Sequence, residues 1–347
     1  MSKPKHILVI RLSAMGDVAM TVPVLKAFSM QYPDVKITVA SRPFFKPFFR
    51  DIANLDFFEV DVNGRHKGLK GLYQLFKDTK ALGITEVADL HNVLRSQIVR
   101  TLFKLSGYKV AATDKGRADK KELTKLASKV LKPVKSMFQR HVNTFAELDY
   151  AIDLSNPVFA KPAVLSEKIL DFTGVKKEKW IGIAPFAQYQ TKVYPADLMQ
   201  KLVNKLASSA NDQKIFLFGG GKKEIEALEK FKGTHANVIV LAGKLNLNQE
   251  MDVISNLDVM LSMDSGNAHI AALLGVRVVT LWGATHPYAG FLPFNQKIDD
   301  ALVPDLKKYP FLPTSVYGNK LVPGYENVMT TINPDNVVAK ITSTFTT

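Results

Sequence analysis

Two short loops, far apart in the chain, constrain the fold more than any other feature of the sequence. The first reads RLSAMGDV over residues 11–18 and follows the apolar run 7–10; the second reads SMDSGNAH over residues 262–269 and follows the apolar run 259–261. Each leads from a strand-length apolar stretch, through glycine and a carboxylate, into a segment that is typical of a helix. Open parallel α/β sheets bind ligands at the carboxyl ends of their strands. One such loop near each end predicts two doubly wound α/β domains that face each other across a cleft.

The rest of the chain alternates between strand-like and helix-like stretches, which favours parallel sheets in both halves. A chain of 347 residues is long enough for two such cores. The expected strands are 7–12, 36–40, 57–62, 86–90, 108–112, 180–185, 214–218, 238–241, 259–261 and 277–281. The expected helices are 18–30, 71–82, 94–106, 123–131, 144–152, 196–209, 222–231, 249–256, 268–274 and 333–342.

The pattern is interrupted once near the middle of the chain. Asn-Pro and Lys-Pro pairs lie within 153–168 and mark a linker. The sequence therefore predicts an N-terminal domain over 1–160 and a C-terminal domain over 161–328. Residues 329–347 contain a last helix, which we expect to pack back on the N-terminal domain.

The composition excludes several kinds of chemistry. The chain has no cysteine, so disulfides, thiolate nucleophiles, zinc–thiolate sites and iron–sulfur clusters are impossible. Its His, Asp and Glu residues do not show metal-ligand spacing, so no metal site is expected. The apolar run 7–10 is too short for a secretory signal peptide, and no stretch of 18 uncharged apolar residues occurs. We therefore expect a cytoplasmic protein without a spanning helix.

Positive charge is concentrated in one part of the chain. Residues 109–140 contain ten basic and three acidic residues. Their excess of seven positive charges is half of the formal net charge of +14. A basic patch attracts anionic partners. Nucleic acid, an anionic membrane and a phosphorylated substrate are all candidates, and a solvated helix face is the alternative.

The second glycine loop is suited to an anion. Asp264 and Ser265 are good caps for a helix that begins near Gly266. The free amides at such a helix start attract negative charge, and a diphosphate is a natural ligand. His269 lies one turn into the helix, where it could donate to a phosphate oxygen. The alternative is that Asp264 and Ser265 only cap the helix and that His269 packs against the next strand.

The first loop differs in kind, because its single Gly16 is followed by the carboxylate of Asp17. A carboxylate repels phosphate, and it suits the acceptor side of a cleft, where a hydroxyl must lose a proton. The alternative is that Asp17 only caps the helix that follows.

The two loops and two further segments resemble the signatures of glycosyltransferase family 9, the ADP-heptose:lipopolysaccharide heptosyltransferases. Residues 11–18, followed by Thr21, Pro23 and Leu25, resemble the family's N-terminal signature. The family's nucleotide-sugar signature is similar to two segments here, DSGNAHIAALLGV at 264–276 and LWGATHP at 281–287. The mid-domain motif and the Lys-x-aromatic-Pro element are resembled by DLHNVLRS at 89–96 and KVYP at 192–195. The four segments occur in the family's order.

The resemblance implies a GT-B fold, with the acceptor on the first domain, the donor on the second, and inversion at the anomeric carbon without a metal or other cofactor. It implies that Asp17 is the general base and that Lys192 neutralises charge on the leaving diphosphate. The donor-binding residues that it implies are Asp264, Ser265, Gly266, His269 and Glu224. The acceptor-binding residues that it implies are Ser13, Gly16, Arg11 and Arg95.

The implied substrates are an ADP-sugar and an anionic lipid-linked saccharide. The basic stretch 109–140 would then dock transiently on the inner face of the cytoplasmic membrane, with Lys120, Lys121, Lys125, Lys129 and Lys132 forming much of the surface, and no nucleic acid is expected as a partner. Two other functions remain open at this point. A nicotinamide-dependent oxidoreductase would need a GxGxxG turn, to which Gly219-Gly220-Gly221 is the nearest approach. A non-catalytic basic binding module would leave the Asp17 loop unexplained.

Overall fold

The chain divides into two compact units, each with its own core. The computed structural model describes residues 4–127, 130–209, 212–343 and 345. The first unit contains Met1–Arg117 and Lys135–Val158, and the second contains Ala118–Val134 and Phe159–Thr347. Residues 118–134 therefore belong to the second unit, although the chain on either side of them belongs to the first.

The first unit is built on a five-stranded parallel sheet. Its strands are β1 (His6–Ile10), β2 (Lys36–Ser41), β3 (Leu55–Glu59), β4 (Glu86–Asp89) and β5 (Lys109–Ala112), in the order β3-β2-β1-β4-β5. The helices that begin in this unit are α1 (Met15–Ala19), α2 (Val22–Gln31), α3 (Gly68–Lys80), α4 (Leu94–Leu105), α5 (Arg117–Leu123) and α6 (Met137–Ala146). A 3₁₀ helix, Pro43–Phe49, follows β2.

The strand order fixes where a ligand would bind in this unit. β1 is buried along its whole length and pairs in parallel with β2 on one side and β4 on the other. The chain runs outward from β1 in one direction through β2 and β3, and in the other direction through β4 and β5. The crevice between β1 and β4 is therefore the topological switch point, where doubly wound sheets bind ligands. The register opposes Ile10 to Asp89, so the loops after these strands are neighbours.

The second unit repeats this arrangement with six parallel strands. They are β6 (Lys179–Ala184), β7 (Gln213–Leu217), β8 (Val238–Val240), β9 (Val259–Met263), β10 (Arg277–Leu281) and β11 (Ala301–Leu302), in the order β11-β10-β9-β6-β7-β8. The helices are α7 (Glu167–Thr173), α8 (Ala196–Ala207), α9 (Lys222–Lys232), α10 (Leu247–Ile254), α11 (Gly266–Leu273) and α12 (Pro334–Thr342). The switch point lies between β6 and β9, where Ala184 opposes Ser262.

The last helix, α12, lies within the second unit. Its Val337 and Ile341 are fully buried in the same apolar cluster as Leu202 and Leu206 of α8. Just before it, the Tyr194 hydroxyl donates to the Ile332 carbonyl over 2.6 Å. This differs from the expectation that the helix packs back on the N-terminal domain. The apolar face of α12 is buried in the core of its own unit.

All ten strands expected from the sequence are present, with ends shifted by up to three residues. Three helices are corrected. The expected helix 18–30 is two helices, because Pro23 starts a new one at α2. The expected helix 123–131 is wrong: α5 ends at Leu123, and the described residues after it are not helical. The expected helix 144–152 is misplaced: α6 begins at Met137, seven residues before the expected start, because Ser136 caps it and accepts from the Gln139 amide.

The structure adds elements that sequence periodicity did not indicate, among them α5, α7, β11 and the 3₁₀ helix Pro43–Phe49. Within the described parts of the chain, no helix has both the length and the apolar character needed to cross a bilayer.

Candidate functional site

Asp17 lies at the switch point of the first unit, as the third residue of α1. Its Oδ2 atom is 2.6 Å from Nη2 of Arg11 and accepts from the Ala14 amide at 3.4 Å. The carboxylate remains about one-third exposed, whereas the guanidinium is buried. Asp17 therefore combines a bond to the start of its own helix, as a cap would make, with an ion pair to a buried cation.

Arg11 joins the two loops at this switch point. It follows β1, and its Nη1 donates to the carbonyl of Leu90, which follows β4, over 2.6 Å. One guanidinium therefore holds both the Asp17 carboxylate and the backbone of the neighbouring loop. This arrangement fixes the position of the carboxylate, because a planar guanidinium presents its donors in a rigid geometry.

His91 is the third polar group of this site, and sequence reasoning did not select it. Its Nε2 lies 3.5 Å from the Ser13 hydroxyl. Burial, reinforced by the charges of Arg11 and Lys115, lowers the pKa of His91 to about 3, while Asp17 opposes the shift. His91 is therefore neutral at physiological pH and acts as a hydrogen-bonding group rather than as a cation.

Buried Asp89 shapes the loop that carries His91. Its Oδ1 accepts from the His91 and Asn92 amides at 3.0 and 2.8 Å, and its Oδ2 accepts from Arg100 at 3.1 Å. Burial raises the pKa of Asp89, and the Asn92 amide is the largest of the contacts that oppose the rise. The loop after β4 is thus held by a carboxylate that points inward from the end of its strand.

Further cations surround Asp17. Lys115 follows β5, and burial together with the charges of Arg11 and Arg117 lowers the pKa of its ammonium. Asp17 and Asp89 act on it in the opposite direction. Arg95, the second residue of α4, is exposed and also lowers the pKa of His91. The structure thus brings the predicted residues Ser13, Gly16, Arg11, Asp17 and Arg95 to one edge, and it adds His91 and Lys115.

At the switch point of the second unit, Asp264 receives two hydrogen bonds on one oxygen. Its Oδ2 accepts from Lys192 Nζ at 3.2 Å and from the Thr285 hydroxyl at 2.8 Å. Lys192 follows β6, Asp264 follows β9 and Thr285 follows β10, so three adjacent strand ends meet at this carboxylate. Thr285 was not selected from the sequence, although it lies in the segment that resembles the nucleotide-sugar signature.

Backbone packing fixes the loop that carries Lys192. The Ala284 amide donates to the Thr191 carbonyl at 3.0 Å. At Gly283, an added Cβ would lie 2.0 Å from the same carbonyl oxygen, so only glycine allows the two loops to approach this closely. The Lys192 side chain packs against Gly318, where an added Cβ would lie 2.6 Å from Lys192 Cγ.

The start of α11 is not capped by the residues expected to cap it. Ser265 is the N-cap residue but makes no side-chain capping bond; its hydroxyl lies 3.1 Å from that of Ser262. Asp264 is occupied by Lys192 and Thr285. The capping alternative is therefore wrong for both side chains. In the part of the chain that the structure describes, no side chain caps the first amides of this eight-residue helix, which begins at Gly266, and His269 lies buried in its first turn.

Glu224 lies in the segment that follows β7, the strand next to β6. It is the third residue of α9, and its Oε2 accepts from the Gly220 amide at 2.8 Å, which closes the glycine loop. Among the residues that the structure describes, no hydrogen bond connects Glu224 with Lys192 or Asp264. Over the same residues, no group of three or more His, Asp or Glu side chains could hold a metal ion.

The basic stretch 109–140 is not one solvated face. Lys120 is buried, with its ammonium 4.1 Å from the ring centroid of Phe291. Arg140 is buried and forms an ion pair with Asp114 at 2.6 Å. Lys109 and Lys125 form ion pairs with Asp149 and Glu122. Lys129 lies outside the described residues. At least three of the ten basic side chains in this stretch therefore form ion pairs, and a fourth, Lys120, is buried.

Comparison with known proteins identifies the family. Residues 73–315 match the profile of glycosyltransferase family 9 (heptosyltransferase). The chain belongs to this family. It is 26% identical to the lipopolysaccharide core heptosyltransferase OpsX of Haemophilus influenzae over 299 residues, which are 82% of this chain and 80% of that protein. It is also 26% identical over 306 residues to lipooligosaccharide heptosyltransferase 2 of the same organism, covering 81% of this chain and 84% of that protein.

Solved structures show the same fold. The glycosyl transferase family 9 protein of Veillonella parvula has a TM-score of 0.74 at 19% identity, covering 99% of this chain and 98% of that one. The Escherichia coli heptosyltransferase WaaC with ADP has a TM-score of 0.66 at 19% identity, covering 97% of both chains. The GT-B fold class and the identification as a glycosyltransferase are confirmed. Family membership decides against the oxidoreductase and the non-catalytic module.

Proposed function

We propose that this protein is an inverting, metal-independent glycosyltransferase that moves a heptose or a related sugar from an ADP-sugar to an acceptor of the lipopolysaccharide-core type. Two relatives named above support the choice of acceptor and sugar, and the structure of one neighbour contains ADP. The chain's own geometry supports the division of labour between its two units.

The observation that carries the proposal is the contrast between the two switch points. In the first unit, a partly exposed carboxylate, Asp17, is held in place by a buried guanidinium. In the second, the ammonium of Lys192 lies beside the uncapped start of α11. The first site can accept a proton, and the second can stabilise negative charge.

In the reaction that we propose, Asp17 takes the proton of an acceptor hydroxyl while that oxygen bonds to the anomeric carbon of the donor sugar. The bond between that carbon and the diphosphate oxygen breaks on the opposite side, which inverts the anomeric configuration. Arg11 orients Asp17 through their ion pair, and so acts on the acceptor only through the carboxylate. Ser13, Gly16 and Arg95 are the acceptor-binding residues of the proposal, and Lys115 adds a cation beside them.

The leaving ADP gains negative charge in the transition state. The α11 amides and Lys192 would stabilise it, because preorganised donors are most effective where charge develops. Asp264, which holds Lys192 at 3.2 Å, keeps the ammonium aimed at this site. Ser265, Gly266 and His269 complete the diphosphate and sugar pocket of the proposal, and Glu224 would accept from the ribose hydroxyls.

The remaining parts of the proposal concern location. The acceptor would be an anionic lipid-linked saccharide, and the protein would act in the cytoplasm with transient binding to the anionic inner face of the cytoplasmic membrane. Nucleic acid is not a partner in this proposal. Exposed Lys121 contributes to membrane attraction, whereas buried Lys120 does not, because its ammonium is enclosed against Phe291.

Replacing Asp17 by Asn tests the proposal. The amide oxygen keeps an acceptor for the Ala14 amide but removes the base. We expect turnover of an ADP-heptose donor to fall by about 10²-fold or more, with ADP affinity by calorimetry nearly unchanged. The matched control is Asp56→Asn, an exposed carboxylate on β3 that pairs with Lys36. A variant Asp17→Asn with wild-type turnover would reduce Asp17 to a structural cap.

A further inference from the structure

Three large apolar side chains are exposed at one edge of the first unit's sheet. Phe44 is 58% exposed, and Leu69 and Leu94 are each 74% exposed. Phe44 follows β2, Leu69 follows β3 and Leu94 follows β4. Because all five strands are parallel, the segments that follow them lie at the same, carboxyl, edge. The three side chains therefore share the edge on which Asp17 lies.

The fold holds these side chains outward on ordered elements. Phe44 is in the 3₁₀ helix Pro43–Phe49, whose Phe45, Phe48 and Phe49 are buried, and its ring lies edge-on to that of Phe45 at 5.4 Å. Leu69 is the second residue of α3, and Leu94 is the first residue of α4. Each helix is anchored by buried residues further along, namely Leu72, Leu75 and Phe76 of α3 and Val99 and Phe103 of α4. Exposure at these positions is therefore set by the fold rather than by a loose loop.

The apolar positions are spread along the edge rather than gathered in a groove. The strand order β3-β2-β1-β4 separates the Leu69 and Leu94 connections by three strand spacings, or about 14 Å. A row of this width matches a broad, flat partner better than a single inserted side chain.

Exposed cations alternate with these apolar side chains. Arg42 precedes Phe44, Lys67 and Lys70 flank Leu69, and Arg95 follows Leu94. One turn further along α3 is exposed Tyr73, whose ring lies 5.3 Å from the Lys77 ammonium.

The carboxylates of the same edge have partners of their own. Glu59 forms an ion pair with Lys46 at 3.1 Å, and Asp61 accepts three backbone amides of its own turn. Amide hydrogen bonds do not neutralise the charge of Asp61, but the four exposed cations named above outnumber it, so the net charge of the edge is positive.

We propose that this edge is a membrane-binding surface and that its partner is an anionic lipid bilayer. Apolar side chains that enter the interfacial region, surrounded by cations that face anionic headgroups, are the combination that binds such a surface reversibly. β1 lies between β2 and β4, so docking brings the Asp17 loop to the bilayer surface. The inference rests on the proposed function in one respect, because a lipid-linked acceptor gives this placement its purpose.

Vesicle co-sedimentation of the full-length protein tests the inference. The edge variant combines Phe44→Ser, Leu69→Ser and Leu94→Ser. The control variant combines Met30→Ser, Leu82→Ser and Leu105→Ser, which are 56%, 41% and 80% exposed in the wild type. These three lie near the ends of α2, α3 and α4, and hence at the opposite edge of the same sheet. The vesicles contain phosphatidylglycerol and phosphatidylethanolamine, or phosphatidylcholine alone, and no saccharide.

We expect the wild type to bind the anionic vesicles, with weaker binding in high salt. The partition coefficient of the edge variant should be lower than that of the wild type by about tenfold or more. That of the control variant should stay within about twofold of the wild type. Equal binding by the two variants, or a wild type that does not bind, would overturn the inference. The opposite pattern would also overturn it: a variant that combines Lys121→Gln, Lys132→Gln and Lys135→Gln loses binding to the vesicles, and the edge variant retains it.

A second measurement separates this inference from the proposed function. Transfer to an acceptor saccharide without its lipid should be the same in the edge variant and in the wild type, since none of the three residues is in the reacting site. Absence of that transfer in the wild type would refute the proposed function while leaving the vesicle result intact. Loss of transfer in the edge variant alone would show that these side chains serve the site itself and would overturn the membrane assignment.

Discussion

Acidification should weaken the first unit through His91, and His91→Gln should remove most of the effect. The ring is buried beside two cations, Arg11 and Lys115, which together with burial lower its pKa to about 3 from the ordinary value of 6.5. A glutamine keeps a polar group near the Ser13 hydroxyl without a titrating ring. The variant therefore isolates the cost of protonation.

The sign follows from which state binds the proton. Between pH 6.5 and 3 the unfolded chain binds a proton at His91 and the folded protein does not, so stability falls as the pH falls through this window. At pH 5 the unfolded histidine is about 97% protonated and the folded one about 1%, which corresponds to a loss of about 2 kcal/mol relative to pH 7.5. Above pH 7 the contribution is nearly constant.

Hydrogen exchange measured by mass spectrometry is the appropriate assay, because the chain has two units and a single global unfolding energy is not well defined. The opening free energies of β1 and β4 amides are compared at pH 5, 6 and 7.5 in the wild type and in His91→Gln. The matched control is His235→Gln in the second unit, which should keep the wild-type slope. If the wild type and His91→Gln lose the same stability between pH 7.5 and 5, the reasoning is refuted.

Two predictions concern the donor side. Lys192→Ala should weaken ADP binding, and turnover should fall by about tenfold more than affinity, since the interaction is stronger in the transition state; unchanged affinity and turnover, as expected for the exposed control Lys201→Ala, would make Lys192 a surface lysine. Transfer measured with and without EDTA should agree within about twofold, because Lys192 and the α11 amides supply the positive charge; complete and reversible loss on chelation would contradict the metal-independent mechanism.

The strands could be predicted because buried parallel strands need continuous apolar runs, as at 7–10 and 259–261. The helix expected at 123–131 could not be excluded, because its leucine, alanine and lysine residues favour a helix. Three residues beyond that segment, the Val134 amide donates to the carbonyl of Tyr288, 154 positions away, and a tertiary contact of this kind can override local propensity. The start of α6 was readable, since Ser136 is a good N-cap residue.

The two site loops were predictable from their local pattern, but the partners of their carboxylates were not. Arg11 contacts the carbonyl of a residue 79 positions away, and Lys192 contacts Asp264 over 72 positions. These contacts depend on which strands are neighbours in the sheet. The spacing of residues along the sequence does not determine that order. The same reason explains why Asp264 was expected as a cap: local pattern indicates the helix start, whereas the competing lysine arrives from another strand.

The membership of residues 118–134 in the second unit has a consequence for how this enzyme can be divided. The chain crosses between its units three times, so a single cut cannot separate them. A fragment ending at Val158 would carry buried Lys120 without Phe291, against which its ammonium lies. In hybrids of related enzymes, this segment and the residues around Tyr288 and Phe291 that it contacts have to come from the same parent. A single junction at the midpoint of the sequence would instead combine a segment from one parent with the surface of the other.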